Sequence, residues 1–204
     1  MLLIGHRGAC WDAPENTLAS VNLAWRQNAD AVEIDIHLSS DGRIVVMHDA
    51  NTARTTGEDL VIAQTDSTRL RQLDAGSWKG SEFTGERIPF LEEVLRTVPK
   101  GKLLMVEVKC GCEILSKLVS ALKDTDSVSR VNVISFNLEV VSEFKKLVPS
   151  VPTLWLRGSR EPTSGPSELV EQVTANDLNG LSLLYGGVDR AIVDAARRAG
   201  QQIW

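Results

Sequence analysis

The 204-residue sequence predicts an α/β fold, specifically a TIM-type (β/α)8 barrel. Short runs rich in β-branched residues alternate with helical patterns along most of the chain, which is typical of a parallel sheet. Eight strand candidates fall within the chain, which favours a closed barrel over an open doubly wound sheet. No linker or low-complexity tract interrupts this pattern, so we expect a single domain over residues 1–204.

The strand and helix candidates follow from the spacing of apolar residues. The strand candidates are Leu2–His6, Ala31–His37, Ile44–His48, Leu103–Lys109, Val131–Phe136, Pro152–Arg157, Gly180–Tyr185 and Gln201–Trp204. The helix candidates are Asn16–Asn28, Leu91–Thr97, Glu113–Lys123, Leu138–Leu147, Ser167–Asn176 and Val188–Ala199. Asn16 is the expected N-cap of the first helix, because asparagine is a preferred capping residue and Pro14 comes just ahead of it.

Two connections depart from a regular strand–helix alternation. Only residues 38–43 separate the second and third strand candidates, too few for a crossover helix. These two strands are therefore either a hairpin or parallel neighbours joined by an extended return. Residues 49–102 then form a long and largely polar excursion after the third strand. A segment of this length more often covers a site than stabilises a core, so we expect an insertion over the barrel mouth.

Composition excludes several classes of function. The mean hydropathy is −0.07, and no apolar run approaches the roughly 18 residues that a membrane span needs. The net charge is −5, without a block of lysine and arginine, whereas a nucleic-acid backbone attracts positive charge. The first residues lack the features of a signal peptide, and the three cysteines fit no zinc spacing. We therefore expect a cytoplasmic protein with reduced thiols and with neither a membrane span nor a nucleic-acid partner.

Charged residues alternate with apolar ones in two strand candidates. Glu33 and Asp35 share one face of the second strand, and Glu107 and Lys109 share one face of the fourth. Charges on inward faces near the carboxyl ends of two strands indicate the end of a barrel where active sites lie. Carboxylates about 4 Å apart repel by roughly 4 kcal/mol per pair, and a cation removes that penalty. An all-oxygen set predicts Mg²⁺ or Ca²⁺, with Lys109 offsetting part of the charge or meeting an anionic substrate.

Two of the three histidines, His6 and His48, end strand candidates beside charged residues. Two imidazoles at the barrel end that carries the carboxylates suit a general acid and a general base near neutral pH. Arg7 is either a bidentate phosphate contact or part of a structural ion pair. His37 lies one step further along the carboxylate-bearing face, so a ligand role and a local role both stay open.

An ordered set of short motifs runs through nearly the whole chain. It comprises His6-Arg7-Gly8, Pro14-Glu15-Asn16-Thr17, Glu33-x-Asp35, Asp41-Gly42, Val45-Val46-Met47-His48-Asp49, Arg54-Thr55-Thr56, Ile88-Pro89-x-Leu91-Glu92-Glu93-Val94-Leu95, Glu107-Val108-Lys109 and Ser135-Phe136. Each motif alone is weak, but the set in this order and spacing is specific. It resembles the glycerophosphodiester phosphodiesterases, a family with a barrel like that of phosphatidylinositol phospholipase C.

The resemblance implies an enzyme that cleaves small glycerophosphodiesters, such as glycerophosphocholine, to sn-glycerol 3-phosphate and an alcohol. The catalytic histidines of the family fall on His6 and His48, as general acid and base. Arg7 and Lys109 match positions associated with holding the phosphate. Either water or the 2-hydroxyl of the substrate's own glycerol can serve as the nucleophile, and the sequence does not decide between them.

The resemblance also implies a divalent metal. The metal-binding carboxylates of the family fall on Glu33, Asp35 and Glu107, normally around Mg²⁺ or Ca²⁺. Residues 49–102 correspond to the insertion that family members carry over the barrel mouth.

Two alternative functions stay open beside this one. A phospholipase D-like activity on lysophospholipids would need an apolar entrance, and Trp78, Phe83 and Phe90 of the insertion offer only modest apolar surface. A catalytically silent protein that binds phosphodiesters is the second alternative. The intact histidines and carboxylates argue against it, because a decayed site usually loses at least one of them.

The end of the chain also differs from the family pattern. Family members continue past a late strand to a helix and a last strand, whereas the pattern here ceases at Ile203-Trp204. Since a TIM barrel has typically about 250 residues, we expect the C-terminal closing element to be missing. A native chain of this length would leave a strand edge unpaired, and we would then expect a homo-oligomer or a domain swap to cover it.

Overall fold

A computed structural model describes residues 2–158 and 165–204. The chain forms two compact units, residues 1–131 and 132–204. The single domain predicted over residues 1–204 stays a prediction. None of the helices in the described part of the chain is long and apolar enough to cross a bilayer.

The first unit contains three parallel strands with helices between them. Its elements are β1 (Ile4–His6), α1 (Leu18–Arg26), β2 (Ala31–Leu38), β3 (Ile44–Val46), α2 (Ala53–Thr56), α3 (Ser67–Leu70), α4 (Leu91–Leu95), β4 (Leu103–Val108) and α5 (Leu115–Asp124). The strand β2 lies between β1 and β4 and runs parallel to both. Its residues up to His37 are all buried, as expected of a central strand covered on both faces.

The strand β3 does not belong to the parallel set. It pairs antiparallel with β2, with Leu38 opposite Ile44, so the short connection predicted as either a hairpin or a parallel return is a hairpin. Gly42 has a φ of +77°, which suits glycine in a tight turn. The described residues therefore contain seven parallel strands rather than eight, three in the first unit and four in the second. Residues 49–102 follow β3, which is the third strand in chain order and the second strand of this hairpin.

The N-cap of the first helix lies one residue later than predicted. Thr17 is the N-cap, because its Oγ1 accepts a hydrogen bond from the Ser20 N–H at 3.3 Å. Ser20 Oγ in turn accepts from the Thr17 N–H, which completes a capping box. Asn16, the predicted cap, has a φ of +57° and turns its side chain away from the helix.

Residues 49–102 share a small apolar core with β3 and the residue that follows it. Its buried members are Val45, Met47, Ile62, Leu70, Leu73, Ala75 and Ile88. Lys79 Nζ of this segment donates to the Cys10 carbonyl at 2.9 Å, and Arg54 donates to Glu15. The segment therefore contacts the loop that follows β1. Its location over a barrel mouth stays a prediction.

The second unit repeats strand and helix in regular alternation. Its elements are β5 (Val131–Ser135), α6 (Leu138–Leu147), β6 (Thr153–Arg157), α7 (Pro166–Ala175), β7 (Gly180–Leu183), α8 (Arg190–Arg198) and β8 (Gln202–Ile203). The four strands pair in chain order and are parallel. Helices and strands share a core that includes Val141, Trp155, Val173 and Leu181. The α/β class predicted from the sequence is confirmed in both units.

Candidate active site

The register of the parallel strands brings three carboxylates together. Residues directly opposite one another on parallel strands point to the same face of the sheet. Asp35 lies opposite Glu107 on β4, and Glu33 lies opposite His6 on β1. One oxygen from each of Glu33, Asp35 and Glu107 lies within 4.8 Å of the other two, and all three residues are buried. We call these three residues the carboxylate cluster.

The electrostatics of the carboxylate cluster favour a bound cation. Burial, followed by repulsion from Asp35, raises the pKa of Glu33 to about 8. Burial also raises the pKa of Glu107, although Lys109 opposes this by donating from Nζ to Glu107 Oε1 at 2.8 Å. Glu33 and Glu107 thus resist ionisation on their own, and together with Asp35 they form an all-oxygen donor set, which hard divalent cations prefer. The donor set therefore fits the predicted Mg²⁺ or Ca²⁺.

Asn16 and Arg7 hold the carboxylate cluster in place. Asn16 Nδ2 donates to Asp35 Oδ2 at 2.8 Å, and the Asp35 N–H donates to Asn16 Oδ1 at 3.2 Å. The Arg7 N–H donates to Glu33 Oε2 at 3.0 Å, and Arg7 Nε lies 3.4 Å from Asp35 Oδ2. Both residues have a left-handed backbone, with φ of +53° for Arg7 and +57° for Asn16. Such strain in non-glycine residues is concentrated at functional sites.

Gly8 allows the loop after β1 to approach α1. Its φ is +81°, and a Cβ at this position would lie 2.5 Å from the carbonyl carbon and the Oγ of Ser20. The Arg7 carbonyl accepts hydrogen bonds from the Asn16 N–H and from Ser20 Oγ, both at 3.0 Å. The loop therefore packs against the start of the helix, and this packing holds Arg7 beside the carboxylate cluster.

The structure places His6 beside the carboxylate cluster. His6 Nε2 lies 4.0 Å from Glu33 Oε2, and about two thirds of the His6 side chain (66%) is exposed. Partial burial and the neighbouring Arg7 guanidinium lower the pKa of His6. The ring is therefore biased toward its neutral form, which can accept a proton.

His48 reaches the same neighbourhood through the hairpin, one of the two topologies that the sequence left open. It does not end a parallel strand, because the hairpin returns β3 along β2, where the Met47 N–H donates to the Asp35 carbonyl at 3.0 Å. His48 Nδ1 lies 2.6 Å from Asp49 Oδ1. The hydrogen bond from Arg54 is the main cause that lowers the pKa of Asp49 to about 2, so Asp49 is an acceptor and His48 Nδ1 carries the proton. This leaves His48 Nε2 for proton transfer.

His37 has a local structural role. Its Nε2 lies 3.2 Å from the His48 carbonyl oxygen, which can only accept, so Nε2 donates. Burial lowers the pKa of His37, which keeps the ring neutral. His37 thus fixes the backbone that carries His48.

A chain of charged side chains links His48 to Arg7, and sequence reasoning missed it. Arg54 Nε donates to Asp49 Oδ2 at 2.7 Å. Arg54 Nη1 and Nη2 donate to Glu15 Oε2 at 2.9 Å and Oε1 at 2.7 Å. Arg7 Nη1 donates to Glu15 Oε1 at 2.9 Å. Glu15 and Arg54 both lie within the family motifs, but nothing in their spacing shows that they meet.

Comparisons with known proteins identify a family that matches this chain. The sequence model of the Glycerophosphoryl diester phosphodiesterase family matches residues 6–204. The protein YhdW of Bacillus subtilis (strain 168) is 42% identical over 159 residues, which cover 75% of this chain and 64% of YhdW. The glycerophosphodiester phosphodiesterase of Caldanaerobacter subterraneus subsp. tengcongensis is 36% identical over 168 residues, which cover 79% of this chain and 69% of that protein. The chain thus spans about two thirds of the length of these curated relatives.

A solved structure extends the likeness to the fold. A phosphodiesterase from Oleispira antarctica, solved in complex with the product sn-glycerol 3-phosphate, matches 100% of this chain and 83% of its own. The TM-score is 0.88 and the sequence identity is 33%. The barrel fold predicted from the sequence is therefore the fold that this chain shares with such phosphodiesterases. Because the match to the family model begins at the His6-Arg7-Gly8 motif and runs to the last residue, the chain belongs to the glycerophosphoryl diester phosphodiesterase family.

Proposed function

We propose that this protein hydrolyses glycerophosphodiesters, such as glycerophosphocholine, to sn-glycerol 3-phosphate and an alcohol, with the help of a divalent metal. The observation that carries the proposal is the buried carboxylate cluster with His6 and Arg7 beside it, in a chain of this family. The product held by the Oleispira antarctica phosphodiesterase supports the class of substrate.

Glu33, Asp35 and Glu107 would hold the Mg²⁺ or Ca²⁺ ion. When bound, the ion would polarise the phosphoryl oxygens and stabilise negative charge that develops on them. Arg7 and Lys109 are the residues proposed to contact the phosphate. Lys109 Nζ lies 2.8 Å from Glu107 Oε1, and Arg7 Nε lies 3.4 Å from Asp35 Oδ2, so both cations border the carboxylate cluster. Their charge also limits the repulsion between the carboxylates and an anionic substrate.

The two histidines would move the protons of the reaction. One imidazole takes the proton of the attacking hydroxyl as its oxygen bonds to phosphorus. The other gives a proton to the oxygen of the departing alcohol as the old P–O bond breaks. If water attacks, glycerol 3-phosphate forms directly. If the glycerol 2-hydroxyl attacks, a cyclic phosphate forms first, and water then opens it. The hydrogen bond that His48 Nδ1 donates to Asp49 leaves His48 Nε2 available for either proton transfer.

Release of glycerol 3-phosphate from glycerophosphocholine tests this proposal. We expect turnover with Mg²⁺ or Ca²⁺ and none after chelation. His6→Ala and His48→Ala should each lower kcat by about 10²-fold or more, the usual contribution of general acid–base catalysis. Arg69→Gln is the control, because Arg69 forms an exposed ion pair with Glu58 away from the carboxylate cluster. Full activity in either histidine variant would overturn the acid–base assignment, and turnover in chelator would overturn the metal requirement.

A p-nitrophenyl ester of glycerol 3-phosphate would identify which histidine is the acid. p-Nitrophenolate leaves without being protonated, so loss of the general acid matters little for this substrate. The variant that retains activity on the p-nitrophenyl ester but loses it on glycerophosphocholine lacks the acid. Equal losses on both substrates in both variants would contradict separate acid and base roles.

The lysophospholipid alternative finds little support in residues 49–102. The Phe90 ring lies under the Arg43 and Arg71 guanidiniums, at 4.0 Å and 4.9 Å from its centroid, and packs on the segment's own core. Trp78 is about half exposed. We expect glycerophosphocholine to be cleaved faster than lysophosphatidylcholine, and the reverse order would favour the alternative. A rise in Tm with glycerophosphocholine but without turnover would instead support a silent binding protein.

A further inference from the structure

The Arg54 guanidinium uses all three of its nitrogens on two carboxylates. Nη1 and Nη2 form a bidentate pair with Glu15 at 2.9 Å and 2.7 Å. Nε adds a third bond, to Asp49 Oδ2 at 2.7 Å. Only the planar fork of arginine can serve two carboxylates in this way, because the single ammonium of lysine has no matching geometry.

Each of these carboxylates has a second partner in the proposed site. Asp49 Oδ1 accepts from His48 Nδ1 at 2.6 Å, and Glu15 Oε1 accepts from Arg7 Nη1 at 2.9 Å. Arg54 therefore lies between the residue proposed to move a proton and the residue proposed to bind the phosphate. These hydrogen bonds join Arg54 to His48 and Arg7 only through Asp49 and Glu15. Arg54 belongs to α2, whereas Glu15 belongs to the loop after β1.

We propose that Arg54 is a positioning residue that joins the placement of His48 to the placement of Arg7. The proposal rests on the proposed function. Without Arg54, Asp49 loses the bond that fixes its second oxygen and can turn away from His48, which frees the imidazole to rotate and to change tautomer. Glu15 would then keep only the ion pair with Arg7 out of its two arginine pairs described above. The Arg7 side chain would shift toward Glu15 and away from the position proposed for the phosphate. Loss of one side chain thus affects both kcat and KM.

A matched control separates this role from an ordinary surface ion pair. The Arg54 side chain is 43% exposed and the Arg69 side chain is 44% exposed, and both lie in residues 49–102. Arg69 pairs with Glu58, and neither residue takes part in the hydrogen bonds that link His48 to Arg7. Exposed ion pairs contribute little to stability. Arg69→Gln should therefore keep the wild-type Tm and activity, whereas Arg54→Gln should lower the Tm modestly, since Glu15 is only 12% exposed, and should lower the activity.

Steady-state kinetics on glycerophosphocholine is the first test, with Arg54→Gln, Arg54→Lys and Arg69→Gln beside the wild type. We expect Arg54→Gln to lower kcat by ~10-fold or more and to raise KM, since outer partners of site residues typically contribute about 10–100-fold. Arg54→Lys should recover only part of either loss, because a lysine ammonium cannot form the bidentate pair with Glu15 and the bond to Asp49 together. Arg69→Gln should match the wild type. If Arg54→Gln fails to fold, Arg54→Lys carries the same comparison.

The ¹⁵N NMR signals of the His48 ring are the second test and need no substrate. The wild type should show a protonated Nδ1, and Arg54→Gln should show a mixture of tautomers. A wild type without turnover would refute the proposed function, and the His48 spectra would still test the role of Arg54. An active wild type with Arg54→Gln equal to Arg69→Gln in kcat and KM would refute this inference and leave the function standing. An unchanged His48 tautomer in Arg54→Gln would also refute it.

Discussion

Replacement of Gly8 by alanine is expected to destabilise the protein and to lower its activity. The new Cβ would lie 2.5 Å from the carbonyl carbon and Oγ of Ser20, and 2.7 Å from its Cβ. Real Cβ atoms do not approach heavy atoms so closely, and one of these atoms is backbone. The loop after β1 or the start of α1 must therefore move, and Arg7 moves with the loop.

The magnitude has two terms that a second glycine can separate. A left-handed backbone costs an L-residue roughly 1–2 kcal/mol, and overpacking costs typically about 1–3 kcal/mol. Gly101 has the same φ of +81° as Gly8 but nothing within 4 Å of an added Cβ, so Gly101→Ala carries the first term alone. The difference between the two variants is thus about 1–3 kcal/mol, or roughly 2–12 °C in Tm for a chain of this length.

Thermal melts and kinetics of the two alanine variants check this reasoning. Gly8→Ala should unfold at a lower temperature than Gly101→Ala, and kcat/KM should fall only in Gly8→Ala. Equal Tm values for the two variants would show that the loop does not press on α1 and would refute the close approach. A large Tm difference with unchanged kcat/KM would show that the position of Arg7 does not depend on this turn.

Three further outcomes are expected. Asn16→Ala removes both hydrogen bonds to Asp35 and should reduce the free energy of unfolding by about 1.5–3 kcal/mol, seen as a lower urea midpoint; an unchanged midpoint would contradict it. The pKa of Asp41 is about 2, because hydrogen bonds from two serine hydroxyls and from the Ser67 N–H outweigh the opposite effect of partial burial. Its depressed folded-state pKa adds stability that is complete above about pH 4 and is lost as the pH falls through 2, so Tm should fall more steeply with acid in the wild type than in Asp41→Asn, and parallel curves would refute this. Ca²⁺ or Mg²⁺ should raise Tm more at mildly alkaline than at mildly acidic pH, because the ion must displace a proton from Glu33, and a rise that survives Glu33→Gln would refute the site.

Alternation along single strands was sufficient to predict the carboxylate cluster. The side-chain period of two is a local property of a strand, so Glu33 and Asp35 share a face whatever the neighbours are. In the parallel pairing of β2 with β4, Asp35 lies opposite Glu107. The carboxyl ends of parallel strands meet at one edge of the sheet, so the acidic residues near these ends come close together. The face of the sheet on which a side chain of a central strand lies can therefore be predicted from the sequence.

Contacts between loops were not readable in the same way. His48 ends a strand candidate, but the six residues before that strand allow two topologies, and only the pairing of Leu38 with Ile44 distinguishes them. Asn16 matches the chemistry of a helix cap, yet its left-handed backbone directs the amide to Asp35 on another element. Glu15 and Arg54 lie 39 positions apart, and no periodic pattern relates them.

The strand β2 carries three parts of the site on one face: Glu33 and Asp35 in the carboxylate cluster, and His37 under the His48 carbonyl. A slip of one residue in its pairing would turn all three side chains to the opposite face at once. Misregistered molecules would thus lack the site altogether instead of having a weakened one. In a preparation of this protein, the number of divalent ions bound per chain would then count the correctly registered molecules, and specific activity should rise in proportion to that number.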